Sequence, residues 1–212
     1  MDSEALQRLG LSGNPGLEEI RKAYLGRTSQ PRFQGVIFQD TVLSQEFSRF
    51  HEAYNTLTRE LAESGMQVSA PASVADTVRL LYNQGVYAMI HQNFMRAGEK
   101  FQEADRIQPK NPLVVLHLGI LLLKRRNLYA AEKYLRDAAG MLGDNHAPWL
   151  FLAETYEQAG KPGAAQSALR KALELNPSLQ GIAARIKSLS ETGKAAGRSW
   201  PSFWERLLGR RR

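Results

Sequence analysis

Residues 146–179 read HAPWLFLAETYEQAGKPGAAQSALRKALELNPSL, and the same pattern occurs twice more upstream at a spacing of 34 residues. Gly85, Gly119 and Ala153 form one register, Ala97, Ala131 and Ala165 a second, and Phe101, Leu135 and Leu169 a third. Ala104, Ala138 and Ala172 form a fourth, and Pro109, Gly143 and Pro177 a fifth. Small, small, large, small and helix-breaking residues recurring in step describe one supersecondary unit stacked three times. Such a unit cannot bury its apolar face alone, so its neighbours must supply the core. The period therefore implies an all-α array that offers a binding surface rather than an active site.

Each copy reads as a helical hairpin. The first spans Ala75–Asn93 and Phe94–Gln108, broken by Pro109-Lys110-Asn111-Pro112. The second spans Leu113–Arg126 and Leu128–Met141 and stops at Gly143-Asp144-Asn145. The third spans Ala147–Ala159 and Pro162–Leu175 and stops at Asn176-Pro177. Small residues at the Gly85 register let the two helices of a hairpin approach closely, and the later alanines do the same between repeats. Behind the array, Leu179, Ile182, Ile186 and Leu189 share one helical face, so a capping helix is expected over residues 180–192.

Trp149, Leu152, Ala153, Tyr156, Ala165, Leu169, Ala172 and Pro177 give the third copy a pattern that resembles the tetratricopeptide repeat. The first copy has Leu81 and Ala88 at two of these places, and the second has Val115, Leu122 and Gly143. The resemblance covers residues 78–179 as three repeats, 78–111, 112–145 and 146–179. It implies that the first helix of each repeat lines a concave groove. The groove-facing residues would be Tyr82, Val86, Met89 and Ile90, then Leu113, Leu116, Ile120 and Leu123, then Leu150, Glu154 and Glu157. Such a slot, apolar at one end and acidic at the other, suits a hydrophobic or amphipathic helical peptide from a protein partner. The alternative is that some of these side chains are inter-repeat core or are covered by the chain's own N-terminal segment. Members of the family that bind chaperone C-terminal carboxylates use a clamp of Lys, Asn and Arg. Tyr82, Val86, His117, Ala147 and Phe151 stand at those places here, so that specificity is not expected.

Residues 1–66 follow another plan. Leu9-Gly10-Leu11 ends a short helix, Glu18-Glu19-Ile20-Arg21-Lys22-Ala23-Tyr24 lies in a second, and Phe47, Phe50, Glu52-Ala53-Tyr54 and Leu57 lie in a third. In order and spacing this looks like the J-domain of DnaJ-type co-chaperones. The family's His-Pro-Asp tripeptide is missing, and its places hold Arg32, Phe33 and Gln34. The basic docking face is thin, with Arg21, Lys22 and Arg27. A degenerate J-like domain of this kind would keep the packing and lose the activity, so a DnaK-type chaperone is not the expected partner. Co-chaperone action through this domain is the alternative function.

Residues 67–77 lead into the first repeat, and residues 193–199 have the composition of a flexible linker. Beyond them Trp200, Phe203, Trp204, Leu207 and Leu208 form one helical stripe, followed by Arg210, Arg211 and Arg212. This tail could rest on an anionic membrane, enter a partner's groove or fold back on the chain's own slot, where Glu154 and Glu157 would suit the arginines.

Charge supports a role for the tail. Residues 1–66 carry 7 basic and 9 acidic side chains (−2), residues 67–193 carry 15 and 11 (+4), and residues 194–212 carry 6 and 1 (+5). The excess of +7 is thus concentrated in the last segment, and no coherent basic face for nucleic acid is expected in the body. Lys124-Arg125-Arg126 reads as a helix C-terminal cap. The chain has no cysteine, which removes disulfides, thiolate metal sites and cysteine nucleophiles together. Behind the acidic Met1-Asp2-Ser3-Glu4 no apolar run follows, so no signal peptide is expected, and Pro112–Leu123 is too short for a bilayer span. A cytoplasmic location is expected, with peripheral contact at the inner face of a membrane. His51, His91, His117 and His146 lack metal-ligand spacing, and no phosphate-binding glycine loop or nucleophile elbow occurs. Neither a cofactor, a metal nor an enzymatic activity is expected.

Overall fold

The computed structural model describes residues 1–33, 40–66 and 73–191, and every regular element among them is helical. In chain order these are α1 (Ser3–Leu9), α2 (Leu17–Thr28), a short 3-10 turn (Pro31–Phe33) and α3 (Thr41–Glu63). The repeats follow as α4 (Val74–Ile90), α5 (Phe94–Ile107), α6 (Pro112–Lys124), α7 (Leu128–Met141), α8 (Ala147–Gln158) and α9 (Pro162–Leu175). Residues 182–191 are also helical. The all-α architecture is the one the 34-residue period implies. The chain forms two compact units, Met1–Leu121 and Leu122–Arg212.

The registers explain the packing. Ala97, Ala131 and Ala165, Phe101, Leu135 and Leu169, and Ala104, Ala138 and Ala172 are all at 0 % exposure. A large side chain every 34 residues fills the space between paired helices, and alanine on either side of it keeps the backbones close enough to enclose it. Gly85 takes this to its limit. A Cβ added there would overlap the Phe101 ring, so α4 and α5 can meet at this level only through a glycine.

In the first unit the N-terminal helices and the first hairpin pack together. Tyr24 of α2 stacks on Tyr54 of α3 with ring centroids 4.5 Å apart. The Tyr24 hydroxyl shares a hydrogen bond with His51 Nδ1 at 2.7 Å. Two contacts then carry this core into α4. Asn83 Nδ2 donates to Thr28 Oγ1 at 2.8 Å, and the His51 ring stacks on Tyr87 at 4.3 Å. Thr28 Oγ1 also donates to the Tyr24 carbonyl at 2.9 Å. That bond sits in the last turn of α2.

In the second unit α7, α8 and α9 pack in sequence. The Tyr156 hydroxyl accepts from Arg136 Nη2 at 2.9 Å and donates to Glu132 Oε1 at 3.2 Å, joining α8 to α7. The 182–191 segment is fastened to this unit by polar bonds. Arg185 Nε and Nη2 each donate to a carboxylate oxygen of Glu157 at 2.8 Å. Gln166 Nε2 donates to the Ile186 carbonyl at 3.4 Å.

A further period of 34 appears in the backbone. Gln92, Arg126 and Gly160, each in the turn inside a hairpin, take φ of 57°, 59° and 67°. Only glycine adopts this left-handed region without strain. In the first two copies the next residue is an asparagine whose side chain accepts from a backbone N–H of the second helix, Arg96 for Asn93 and Ala130 for Asn127. The third copy has glycine at the strained site, and Lys161-Pro162 in place of the asparagine cap. Arg126→Gly is expected to raise stability by up to about 1 kcal/mol by removing left-handed strain, whereas Gly85→Ala lowers it by about 1–3 kcal/mol through overpacking. Urea denaturation checks both, and equal losses in the two variants would contradict this account of the hairpins.

Candidate binding surfaces on the repeats

The strip assigned to the concave groove is largely closed in the first unit. Tyr82, Val86 and Met89 of α4 are buried, as are Leu116 and Ile120 of α6, while Ile90 and Leu113 remain half-buried. The Tyr82 ring lies 6.0 Å from Phe101 and meets the His117 ring edge-on at 5.2 Å. His117 Nδ1 is bound to the Leu113 carbonyl at 2.8 Å. The aromatic side chains at the clamp places thus fill the core instead of facing a ligand. Val86, His117 and Phe151 are buried as well, and Ala147 is half-buried. Burial pushes the His117 pKa down to about 4, partly offset by the Leu113 carbonyl, so the ring is neutral at pH 7 and supplies no cation for a carboxylate.

In the second unit Leu123 is buried and Leu150 half-buried. The two acidic residues of the strip already have partners. Glu157 is gripped by Arg185 as described, and Glu154 lies 3.5 Å from Lys124 Nζ and accepts from Gln158 at 3.4 Å. Both carboxylates are therefore engaged by cations from within the same unit. Trp200, Phe203, Trp204, Leu207, Leu208 and Arg210–Arg212 themselves lie outside the described residues.

The N-terminal helices put the J-like residues to structural use. Phe33, at the place of the tripeptide's proline, is 2 % exposed and meets Phe47 at 5.9 Å and Phe50 at 6.0 Å. Arg32 pairs with Glu46 at 2.7 Å and lies over the Phe33 ring, and Gln34 is outside the described residues. Arg21, counted in the basic face, is buried beside Tyr54 and paired with Glu18. Arg27 rests over the Phe50 ring. Core packing thus uses Phe33 and two of the three face cations, Arg21 and Arg27.

The sequence reading missed a groove in the second unit. A space of about 720 Å³ opens among α7, α8 and α9, walled by Arg136, Ala139 and Gly140 on one side and Ala164, Ser167, Ala168 and Lys171 on the other. Trp149, Leu152 and Tyr156 of α8 form its floor. At 100° per residue these three lie roughly 130° around α8 from Leu150, Glu154 and Glu157, so this is a different face from the expected groove. No cluster of three or more potential metal ligands occurs among the described residues. No helix among them is long and apolar enough to cross a membrane.

Comparison with known proteins agrees with this architecture. Residues 147–179 match the family model of the tetratricopeptide repeat. The human tetratricopeptide repeat proteins 7A and 7B are 29% and 26% identical over 121 and 156 residues, which is 57% and 74% of this chain. The matches span only 14% and 18% of those relatives' lengths. Among solved structures, MamA (residue 41 to the end) from Desulfovibrio magneticus RS-1 superimposes with a TM-score of 0.55 at 14% identity, over 93% of this chain and all of that one. The Arabidopsis OM64 tetratricopeptide domain gives 0.53 at 18% identity, over 56% of this chain and 98% of that one. The first tetratricopeptide domain of Spaghetti (RPAP3), bound to the HSP90 peptide SRMEEVD, gives 0.51 at 14% identity, over 54% of this chain and 91% of that one. The chain is thus a repeat protein with a tetratricopeptide-type solenoid fold. These comparisons lend the J-like reading of residues 1–66 no support.

The two buried histidines make stability depend on pH. Burial, with Arg96 and His91 adding repulsion, lowers the His51 pKa to about 4, as burial does for His117. Both folded pKa values lie below the unfolded value near 6.5, so the unfolded chain binds more protons in between. Stability is full above about pH 6.5 and falls as pH drops toward 4, by on the order of 3 kcal/mol per histidine. The urea midpoint is expected to hold steady from about pH 8 to 7 and decline from about pH 6.5 to 5. A flat midpoint across the lower range contradicts the burial of these rings.

Proposed function

We propose that this chain is a non-catalytic adaptor of the cytoplasm, whose repeats hold a hydrophobic or amphipathic helical segment of a partner protein while the tail, residues 200–212, supplies a second anchor. The observation that carries the reading is the repeat itself. Three hairpins are built on the same buried registers, and the last of them, residues 147–179, matches a family model. Tetratricopeptide solenoids are scaffolds for protein contacts, and a neighbouring fold holds an HSP90 peptide. The residues at the clamp places argue against a similar acidic C-terminal peptide here. Tyr82, Val86, His117 and Phe151 offer packed rings and methyl groups in place of cations, so the partner contact on this face is apolar.

In the first unit the contact points on that face are the half-buried Ile90 and Leu113, with the buried Val86, Leu116 and Ile120 as a supporting bed. Tail and repeats act together through effective concentration: two weak contacts on one chain outperform either alone if the linker spans the gap. On the tail, Trp200 and Trp204 suit a lipid headgroup region and Arg210–Arg212 suit anionic lipid, so the second anchor is read as a membrane surface.

Selection from a library of amphipathic helical peptides tests the reading. The intact chain is expected to bind apolar-faced members, and Ile90→Glu with Leu113→Glu is expected to weaken binding by about tenfold or more at unchanged melting temperature. Equal binding by this variant, or no selected peptide at all, contradicts it.

A further inference from the structure

We infer that the groove among α7, α8 and α9 is a second docking site, for an acidic peptide segment that inserts a large apolar side chain over Trp149. This goes beyond the apolar face proposed above, which lies on another side of α8. The groove is a local departure from the repeat rather than a property of it. At the Gly140 register the other copies carry Arg106 and Glu174, and at the Ser167 register they carry Glu99 and Lys133. Long side chains at those places would close the walls, and here both are small. A Cβ added at Gly140 meets nothing within 4 Å, so the space beside it is open. The floor is a half-buried indole with Leu152 and Tyr156, which suits a leucine or phenylalanine side chain. A space of about 720 Å³ also has room for the backbone that carries it.

Charge selects the occupant. The lining holds two cations, Arg136 on α7 and Lys171 on α9, and no carboxylate. Their present partners are carboxylates on their own helices, Glu132 half-buried and Glu174 exposed. Arg136 pairs with Glu132 at 2.9 Å and Lys171 with Glu174 at 3.0 Å. The exposed Lys171 pair is weak, and Glu132 keeps Lys161 at 3.5 Å when the largely exposed Arg136 leaves it, so both cations can turn to a ligand carboxylate. Tyr156 steadies the Arg136 guanidinium with a second contact, which keeps it at the groove edge. The chain's own tail has the wrong sign for this site, with Arg206 and Arg210–Arg212 against Glu205 alone.

The test uses a short fluorescein-labelled peptide alternating glutamate with leucine and phenylalanine, its lysine counterpart, and fluorescence anisotropy with the full chain. The glutamate peptide is expected to bind, and Gly140→Leu, which fills the open space, is expected to weaken it by about tenfold or more. Lys171→Glu should weaken the glutamate peptide and strengthen the lysine one, an exchange that mere damage to the fold does not produce. Ile90→Glu with Leu113→Glu should leave this binding unchanged, which separates its fate from that of the apolar face. The inference is overturned if Gly140→Leu binds as the parent does. It is also overturned if both peptides bind alike or neither binds, or if the glutamate peptide binds only after residues 198–212 are deleted.

Discussion

A stack of helical hairpins has two ends, and each end leaves a helix without the neighbour that would bury its apolar face. That constraint organises this chain. At the first hairpin, α2 and α3 take the place of a preceding repeat. Thr28 receives the Asn83 amide, and His51 stacks on Tyr87, so polar and aromatic contacts of α4 are satisfied from the N-terminal helices. At the last hairpin, residues 182–191 are fastened by polar bonds, with Arg185 clasping Glu157 and the Ile186 carbonyl accepting from Gln166.

Covering the ends decides what is left for function. Side chains that could have met a ligand at the clamp places are used for packing, and the acidic residues of the same face are engaged from within the second unit. What stays half-buried is Ile90 and Leu113 in the first unit and Leu150 in the second, and the second unit also keeps the Trp149 groove, where small residues replace the long ones of the other copies. The N-terminal helices fit the same logic. Phe33 and Arg21 are core residues.

How much of this was legible depended on whether residue type alone carried the information. The registers were legible, because alanine and a large apolar residue recurring at 34 residues have one explanation, and all nine such positions are sealed from solvent. The left-handed turns were not, because Gln92 and Arg126 give no glycine signal, and only Gly160 marks the place. The packing of residues 1–66 was only partly legible, because a pattern of leucine, tyrosine and phenylalanine shows helices but not the direction each face turns. Phe33 could equally have been a surface loop residue. The engagement of Glu157 was not legible, since its partner lies 28 residues away on an element whose packing the sequence does not reveal. Trp149 was read only as a signature residue. The missing bulk at Gly140 and Ser167, visible by comparing the three copies, was the signal that could have exposed the groove.

The account's central claim is that the N-terminal helices are the cap of the repeat array and form one cooperative body with its first hairpin. A double-mutant cycle between Thr28→Val and Asn83→Ala, read by urea denaturation, tests it most directly. One cooperative transition is predicted, with a coupling of about 0.5–1.5 kcal/mol between the two sites. Additive losses, or a separate early transition of the N-terminal helices, would contradict it.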